Sequence, residues 1–181
     1  MSIWNDADFA VAGARLFTPF DPALINPASY DLTVGSRFML LKPNVGAFVV
    51  ADTRKAGWSD EQNWDTFDLG VHYEIVLNPG DFVLAHTEQT FTVPRSVAVR
   101  VEGKSTLGRA GLIVHATAGW IDPGFCGQVT MELSNISSRP IILAPGDIIG
   151  QAAVYQLTAP ALSPYSGSYQ DSIGVRAGRR A

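Results

Sequence analysis

Val97-Ala98-Val99-Arg100-Val101-Glu102 sets valines at 97, 99 and 101 against Ala98, Arg100 and Glu102. A period of two is the mark of a strand with one buried face. The same reading extends outward. Downstream, Val129 to Leu133, Pro140 to Leu143 and Ile148 to Leu157 read as strands, with Pro145-Gly146-Asp147 as a turn. Upstream, Glu74 to Leu77 and Phe82 to Ala85 flank the turn Asn78-Pro79-Gly80-Asp81, and Val93-Pro94 is a break. Arg37 to Leu41 and Tyr30 to Val34 extend the series, the latter closed by Gly35. Short strands with frequent turn signals predict an all-β sandwich or barrel, not alternating βαβ units. The 17 glycines and 11 prolines supply the turns. One helix is expected, over residues 5–14, capped by Asn5 or Asp6 with Asp8 in its first turn. Thr18 to Pro22 and Asn26-Pro27 read as loops or edges, because proline cannot donate into a ladder. Residues 51–70 read as a polar excursion packed by Trp58 and Trp64.

Chain length bounds the organisation. With 181 residues, the sequence suits one domain over 1–157 and a flexible C-terminal arm over 158–181. The arm is rich in Ser, Gly, Pro and Tyr and reads either as a frayed terminus or as a segment closing over an anionic ligand. The net charge of −4 argues against a general nucleic-acid binder. Charged residues at 17% and hydrophobic ones at 46% argue against disorder. A mean hydropathy of +0.11 points to apolar surface buried between subunits. One cysteine, Cys126, allows no intrachain disulfide. The first residues carry no basic n-region or apolar h-region, and no apolar run nears the ~20 residues of a membrane span. A cytoplasmic protein without membrane or nucleic-acid partners is expected.

Several segments carry candidate chemistry. Glu102-Gly103-Lys104-Ser105-Thr106-Leu107-Gly108-Arg109 gathers glycines, hydroxyls and cations, the donors a polyphosphate needs. It fails as a Walker A loop, since position 98 is Ala, and a solvated turn is the alternative. Asp122, before Pro123-Gly124, reads as a turn residue bonding its own backbone, and Trp120 as core or interface. His115 lies between apolar residues and reads as a structural histidine, with a base as the alternative. Glu132 interrupts an apolar strand. It is a surface residue, or a carboxyl whose ionisation is tuned by a pocket, as a general base requires. His72, His86 and His115 are widely spaced and no CxxC exists, so a structural zinc site is not expected. His86-Thr87-Glu88 fits H-x-E, but the cysteine pair of a zinc deaminase is missing.

Four ordered motifs then resemble the dCTP deaminase family of the trimeric dUTPase superfamily. They are Glu102 to Arg109, His115 to Gly127, Met131-Glu132-Leu133-Ser134-Asn135, and Pro145 to Gln151. Asn26 to Leu32 and Asn78 to Phe82 also resemble family segments, so nearly the whole chain is covered in order. The resemblance implies a dUTPase-like distorted β-barrel or jelly roll with a short N-terminal helix. It also implies a homotrimer with composite sites at subunit interfaces. The implied activity is zinc-independent hydrolysis of dCTP at C4 to dUTP and ammonia, with Mg²⁺ entering on the triphosphate and no protein side chain holding metal. Glu132, Asp122, Ser105 and Arg109 match the catalytic set. Lys104, Thr106, Thr117, Ala118, Trp120, Gln151, Tyr165, Tyr169 and Gln170 join Ser105, Arg109 and Asp122 as substrate-binding residues.

The family has two branches. One releases dUTP and carries His-Arg where this chain has Gly119-Trp120. The other goes on to dUMP and pyrophosphate, and Thr117 to Phe125 resembles it, with Asp122 matching the aspartate that activates water. A dUTPase that never deaminates and a non-catalytic module on the same fold are the competing readings. Glu132 argues against the first, and the intact set of Ser105, Arg109, Asp122 and Glu132 against the second. Ser168-Tyr169-Gln170-Asp171 departs from the family's Lys-Tyr-Gln ending, and Arg176, Arg179 or Arg180 stands in for the missing lysine.

Overall fold

Antiparallel pairing organises the chain from its first described residues to its last long strand. A computed structural model describes residues 2–42, 61–115 and 118–178. In chain order the elements are β1 (Ser2–Ile3), α1 (Asp6–Leu16), β2 (Phe17–Thr18), β3 (Ile25–Asn26), β4 (Ser29–Thr33), β5 (Arg37–Leu41) and β6 (Trp64–Asp68). There follow β7 (Ile75–Leu77), β8 (Phe82–Thr92), β9 (Val97–Gly103), α2 (Ser105–Ala110), β10 (Leu112–Val114) and β11 (Trp120–Ile121). The last are β12 (Cys126–Asn135), β13 (Ile141–Leu143) and β14 (Ile148–Gln156).

Two six-stranded sheets result. One runs β11-β9-β14-β4-β3 with β1 on β14, the other β10-β12-β8-β5-β6 with β2 on β8, and β7 pairs β13 apart from both. The 97–102 alternation becomes β9, with Val97, Val99 and Val101 buried and Arg100 and Glu102 exposed. Two apolar clusters fill the space between the sheets. Tyr30 of β4 stacks on Phe17 with ring centroids 4.7 Å apart, and Phe91 meets Phe17 edge-on at 5.0 Å. Phe38, Val83, Met131, Leu133 and Ile149 form the second cluster. Each such side chain contributes about 1.5–3 kcal/mol on burial.

β12 shows what this packing does for a site. Met131 and Leu133 are fully buried, and their burial fixes which face Glu132 takes. A one-residue slip would drive the carboxylate into the core and both apolar side chains out. β8 carries a bulge opposite, where the register steps from Gln128↔Thr90 to Thr130↔His86. There Thr87 Oγ1 accepts the Val129 N–H at 3.0 Å, replacing the lost ladder bond.

Helix α1 follows expectation. Asn5 and Asp8 form a reciprocal capping box, and Phe9, Gly13 and Leu16 face the core. Two expectations are corrected. The 102–109 segment leads into a second helix, α2 at Ser105–Ala110, too short to show a period; Leu107 packs on the second core cluster and Gly111, at φ +94°, ends it. Residues 64–68 are not an excursion but the edge strand β6, paired with β5 along its full length. An edge strand tolerates polar residues on both faces, which hid it. Trp58 lies outside the described residues. Residues 158–178 do not fray: Tyr165 N–H donates to Pro123 O at 2.8 Å, and Asp171 N–H to Cys126 O at 2.8 Å. Among the described residues no helix is long and apolar enough to cross a membrane.

Candidate active site

β10 pairs with β12 through Val114↔Leu133, and the next residue, His115, takes a left-handed conformation at φ +62°. Non-glycine residues rarely adopt it, and such strain gathers at functional sites. It leaves the His115 backbone N–H bonded to Glu132 O at 2.9 Å and brings ring Nδ1 to 2.9 Å from Glu132 Oε2. The nitrogen and oxygen are out of line for a hydrogen bond, so the contact is a charge pairing. The histidine side chain is 4% exposed and the glutamate 32%.

Each group changes the other's ionisation. Burial alone would pull the His115 pKa down, but the Glu132 carboxylate outweighs it and leaves the pKa raised. Burial alone would push Glu132 up, but His115 outweighs it and leaves the carboxyl below its usual range. The carboxylate is therefore held ionised, ready to accept a proton.

The pair opens on a cavity of about 430 Å³, within the ~300–1,000 Å³ of small-molecule sites. Ala118, Trp120, Asp122, Tyr165 and Tyr169 line it together with His115 and Glu132. Asp122 begins a turn in which Phe125 N–H bonds its carbonyl at 3.2 Å. Gly124 sits at φ +94° in that turn, and a Cβ there would come within 2.5 Å of Pro164 Cβ. The arm thus lands on the turn that carries Asp122. Tyr165 stands edge-on to Phe125, centroids 5.6 Å apart, and its hydroxyl accepts the Tyr169 N–H at 3.2 Å.

Comparison with known proteins shows the family. A family model described as dCTP deaminase-like matches residues 6–157. The chain belongs to the dCTP deaminase-like family. It is 39% identical over 171 residues to a "dCTP deaminase, dUMP-forming" of Salinispora arenicola, covering 93% of this chain and 86% of that protein. It is 42% identical over 157 residues to a protein of the same description from Mycobacterium leprae, covering 87% and 80%. A solved structure of 2'-deoxycytidine 5'-triphosphate deaminase from Agrobacterium tumefaciens shares the fold, with a TM-score of 0.65 at 20% identity. That match covers 84% of this chain and 46% of the other, so the chain spans about half that protein.

Of the residues that the deaminase resemblance nominated, a second group stands apart from the cavity. Ser105, Thr106 and Arg109 are exposed on α2, and none of them lines it. Lys104 is engaged elsewhere: its Nζ donates to Asp31 Oδ1 at 2.6 Å, an oxygen that also accepts from Asn26 Nδ2 at 2.8 Å. Gln151 accepts from Ser29 Oγ at 3.0 Å and donates to Gly103 O at 3.4 Å. Gln170 anchors the arm, donating to Gly124 O and accepting from Cys126 N–H, both at 3.2 Å. Thr117 lies outside the described residues, as do Arg179 and Arg180.

Sequence reasoning left His115 out of the site set. Its signal is a cross-strand one, position 115 facing position 132, and needs the β10–β12 register to be seen. Gly119 also gains a reason. A Cβ there would lie 2.3 Å from Val101 O, and Gly119 O accepts the Val101 N–H at 2.7 Å. This backbone has no room for a histidine at 119.

Proposed function

We propose that this chain deaminates dCTP at C4 to dUTP and ammonia, then hydrolyses dUTP to dUMP and pyrophosphate in the same site. The observation that carries the reading is the His115–Glu132 pair in the cavity. Attack at C4 needs a water that loses a proton, a proton for N3, and protonation of the departing amine. A carboxylate held ionised takes the first proton and, once protonated, returns it, so one group serves as base and then acid. His115 then holds the returning negative charge on Glu132. In this reading backbone groups around Ala118 read the base edge and Asp122 orients the second water, and both residues line the cavity. Gly119 favours the dUMP-forming branch, since the other branch's histidine does not fit there.

Among the described residues, no group of three or more His, Cys, Asp or Glu side chains lies close enough to hold a metal ion. A Mg²⁺ carried on the triphosphate needs no such group, because phosphate oxygens and waters would hold it while it screens the phosphate charge. The reaction we propose uses no zinc, since the chain lacks the cysteine pair of the zinc deaminases.

The outward face of α2 supports a composite site. Ser105, Thr106 and Arg109 are exposed and do not line their own cavity, so a second copy would receive them. Exposed Ile113, Ile136, Ile142 and Ile148 are apolar surface that self-association would bury. We assign a homotrimer acting on the cytoplasmic nucleotide pool, with the described arm, residues 158–178, packed beside the nucleotide cavity. Incubation with dCTP and Mg²⁺, followed by chromatography, tests the reading. dUMP supports it. dUTP alone leaves a monofunctional deaminase, and unchanged dCTP overturns it.

A further inference from the structure

Beyond the cavity's chemistry, the arm and β12 form a ladder of backbone and side-chain bonds. Gln128, Thr130 and Glu132 share one face of β12, alternating with buried Val129, Met131 and Leu133. The arm runs parallel to this strand. Gly127 and Ser172 form a parallel bridge, and Gln128 N–H donates to Ser172 O at 2.8 Å. From there the arm's backbone bonds side chains instead of backbone. Gly174 N–H donates to Gln128 Oε1 at 2.6 Å, and Arg176 N–H to Thr130 Oγ1 at 3.0 Å. The step is two residues on both sides. One further step brings Gly178 level with Glu132, and both line the cavity.

We propose that Gln128 and Thr130 are positioning residues, forming a latch that holds segment 172–178 as a wall of the dCTP cavity beside Glu132. This rests on the deaminase reading of the cavity. Three features support it. The intervening arm side chains, Val175 and Ala177, are buried with Met39 and Leu84, and Trp64 packs against them. That apolar contact sets the depth of the arm but not its position along the strand. The two side-chain acceptors set that position, and Gln128 is itself held by its Nε2 bond to Glu88 O at 2.9 Å. A wall that acts by position affects how long the nucleotide stays, not the proton transfers on it.

The test compares Thr130→Val, which keeps the shape and removes the acceptor, with Thr130→Ser, which keeps the acceptor. Gln128→Leu removes the other rung. Hydrogen exchange is read without nucleotide, and KM and kcat are measured with dCTP and Mg²⁺. The expected result is roughly two- to tenfold faster exchange of the Arg176 amide in Thr130→Val and of the Gly174 amide in Gln128→Leu. KM should rise about tenfold in the double variant while kcat stays within about twofold. Thr130→Ser should behave as the wild type. Unchanged exchange at both amides, or equal effects of Ser and Val at 130, overturns the latch. Exchange needs no catalysis. A wild type that releases no ammonia from dCTP but shows the expected exchange would refute the deaminase reading and still support the latch.

Discussion

Glu132→Gln separates the chemistry at the centre of the site from its scaffold. The substitution keeps side-chain length and shape but cannot accept a proton from water. Loss of a general base costs about 10²–10⁴-fold, or about 3–5 kcal/mol of barrier. The same carboxyl also returns the proton to the leaving amine, so the loss should lie at the upper end. Stability should suffer far less. Removing one partner of a fully buried ion pair costs about 3–5 kcal/mol. Here the carboxylate is 32% exposed, and His115 can shed its proton once the counter-charge is gone. The cost should therefore fall to about 1 kcal/mol. Ammonia release from dCTP, calorimetric titration of the nucleotide and thermal melting should be measured on one preparation. The expected pattern is ammonia release near background, nucleotide affinity within a few-fold and a small drop in melting temperature. Ammonia release within tenfold of the wild type would refute the role of Glu132.

Other outcomes follow from the same geometry. His115→Gln should move the acid limb of kcat/KM to higher pH, because burial, the largest influence on the Glu132 carboxyl, is then no longer offset by His115. The wild-type alkaline limb, above the usual ~6.5 of histidine, should vanish in that variant. The pair's contribution to stability should be present between the lowered Glu132 pKa and the raised His115 pKa. It is lost as pH falls through the first or rises through the second, which melting curves across pH can check. Asp122→Asn should accumulate dUTP from dCTP and make little dUMP; equal loss of both activities would reduce Asp122 to a turn residue. Gly119→Ala should cost about 1–3 kcal/mol of stability, since its Cβ meets Val101 O at 2.3 Å. Mixing Glu132→Gln subunits with Arg109→Ala subunits should restore part of the activity, and no restoration would contradict a shared site.

Strands with one buried face were legible in the sequence because their alternation is a local property. β9 reads directly from Val97, Val99 and Val101, and β5 reads from Arg37 to Leu41, the bounds it has in the fold. Elements defined by their neighbours were not legible. β6 carries acidic residues on both faces, and α2 is a six-residue helix holding Gly108. The site divides the same way. Glu132 stood out as a charge in an apolar strand, whereas His115 matters only through a partner seventeen positions away. The arm's anchors, Gln170, Gln128 and Thr130, bond backbone groups far along the chain, and no local pattern announces such bonds.

The central claim is that one cavity performs two hydrolyses in order. Its most direct test is the stoichiometry of ammonia and pyrophosphate released by the wild-type protein from dCTP with Mg²⁺ present. Equal amounts of both, with matching dUMP and little free dUTP, are predicted. Pyrophosphate without ammonia would contradict the account, because phosphate cleavage would then proceed with no deamination at Glu132.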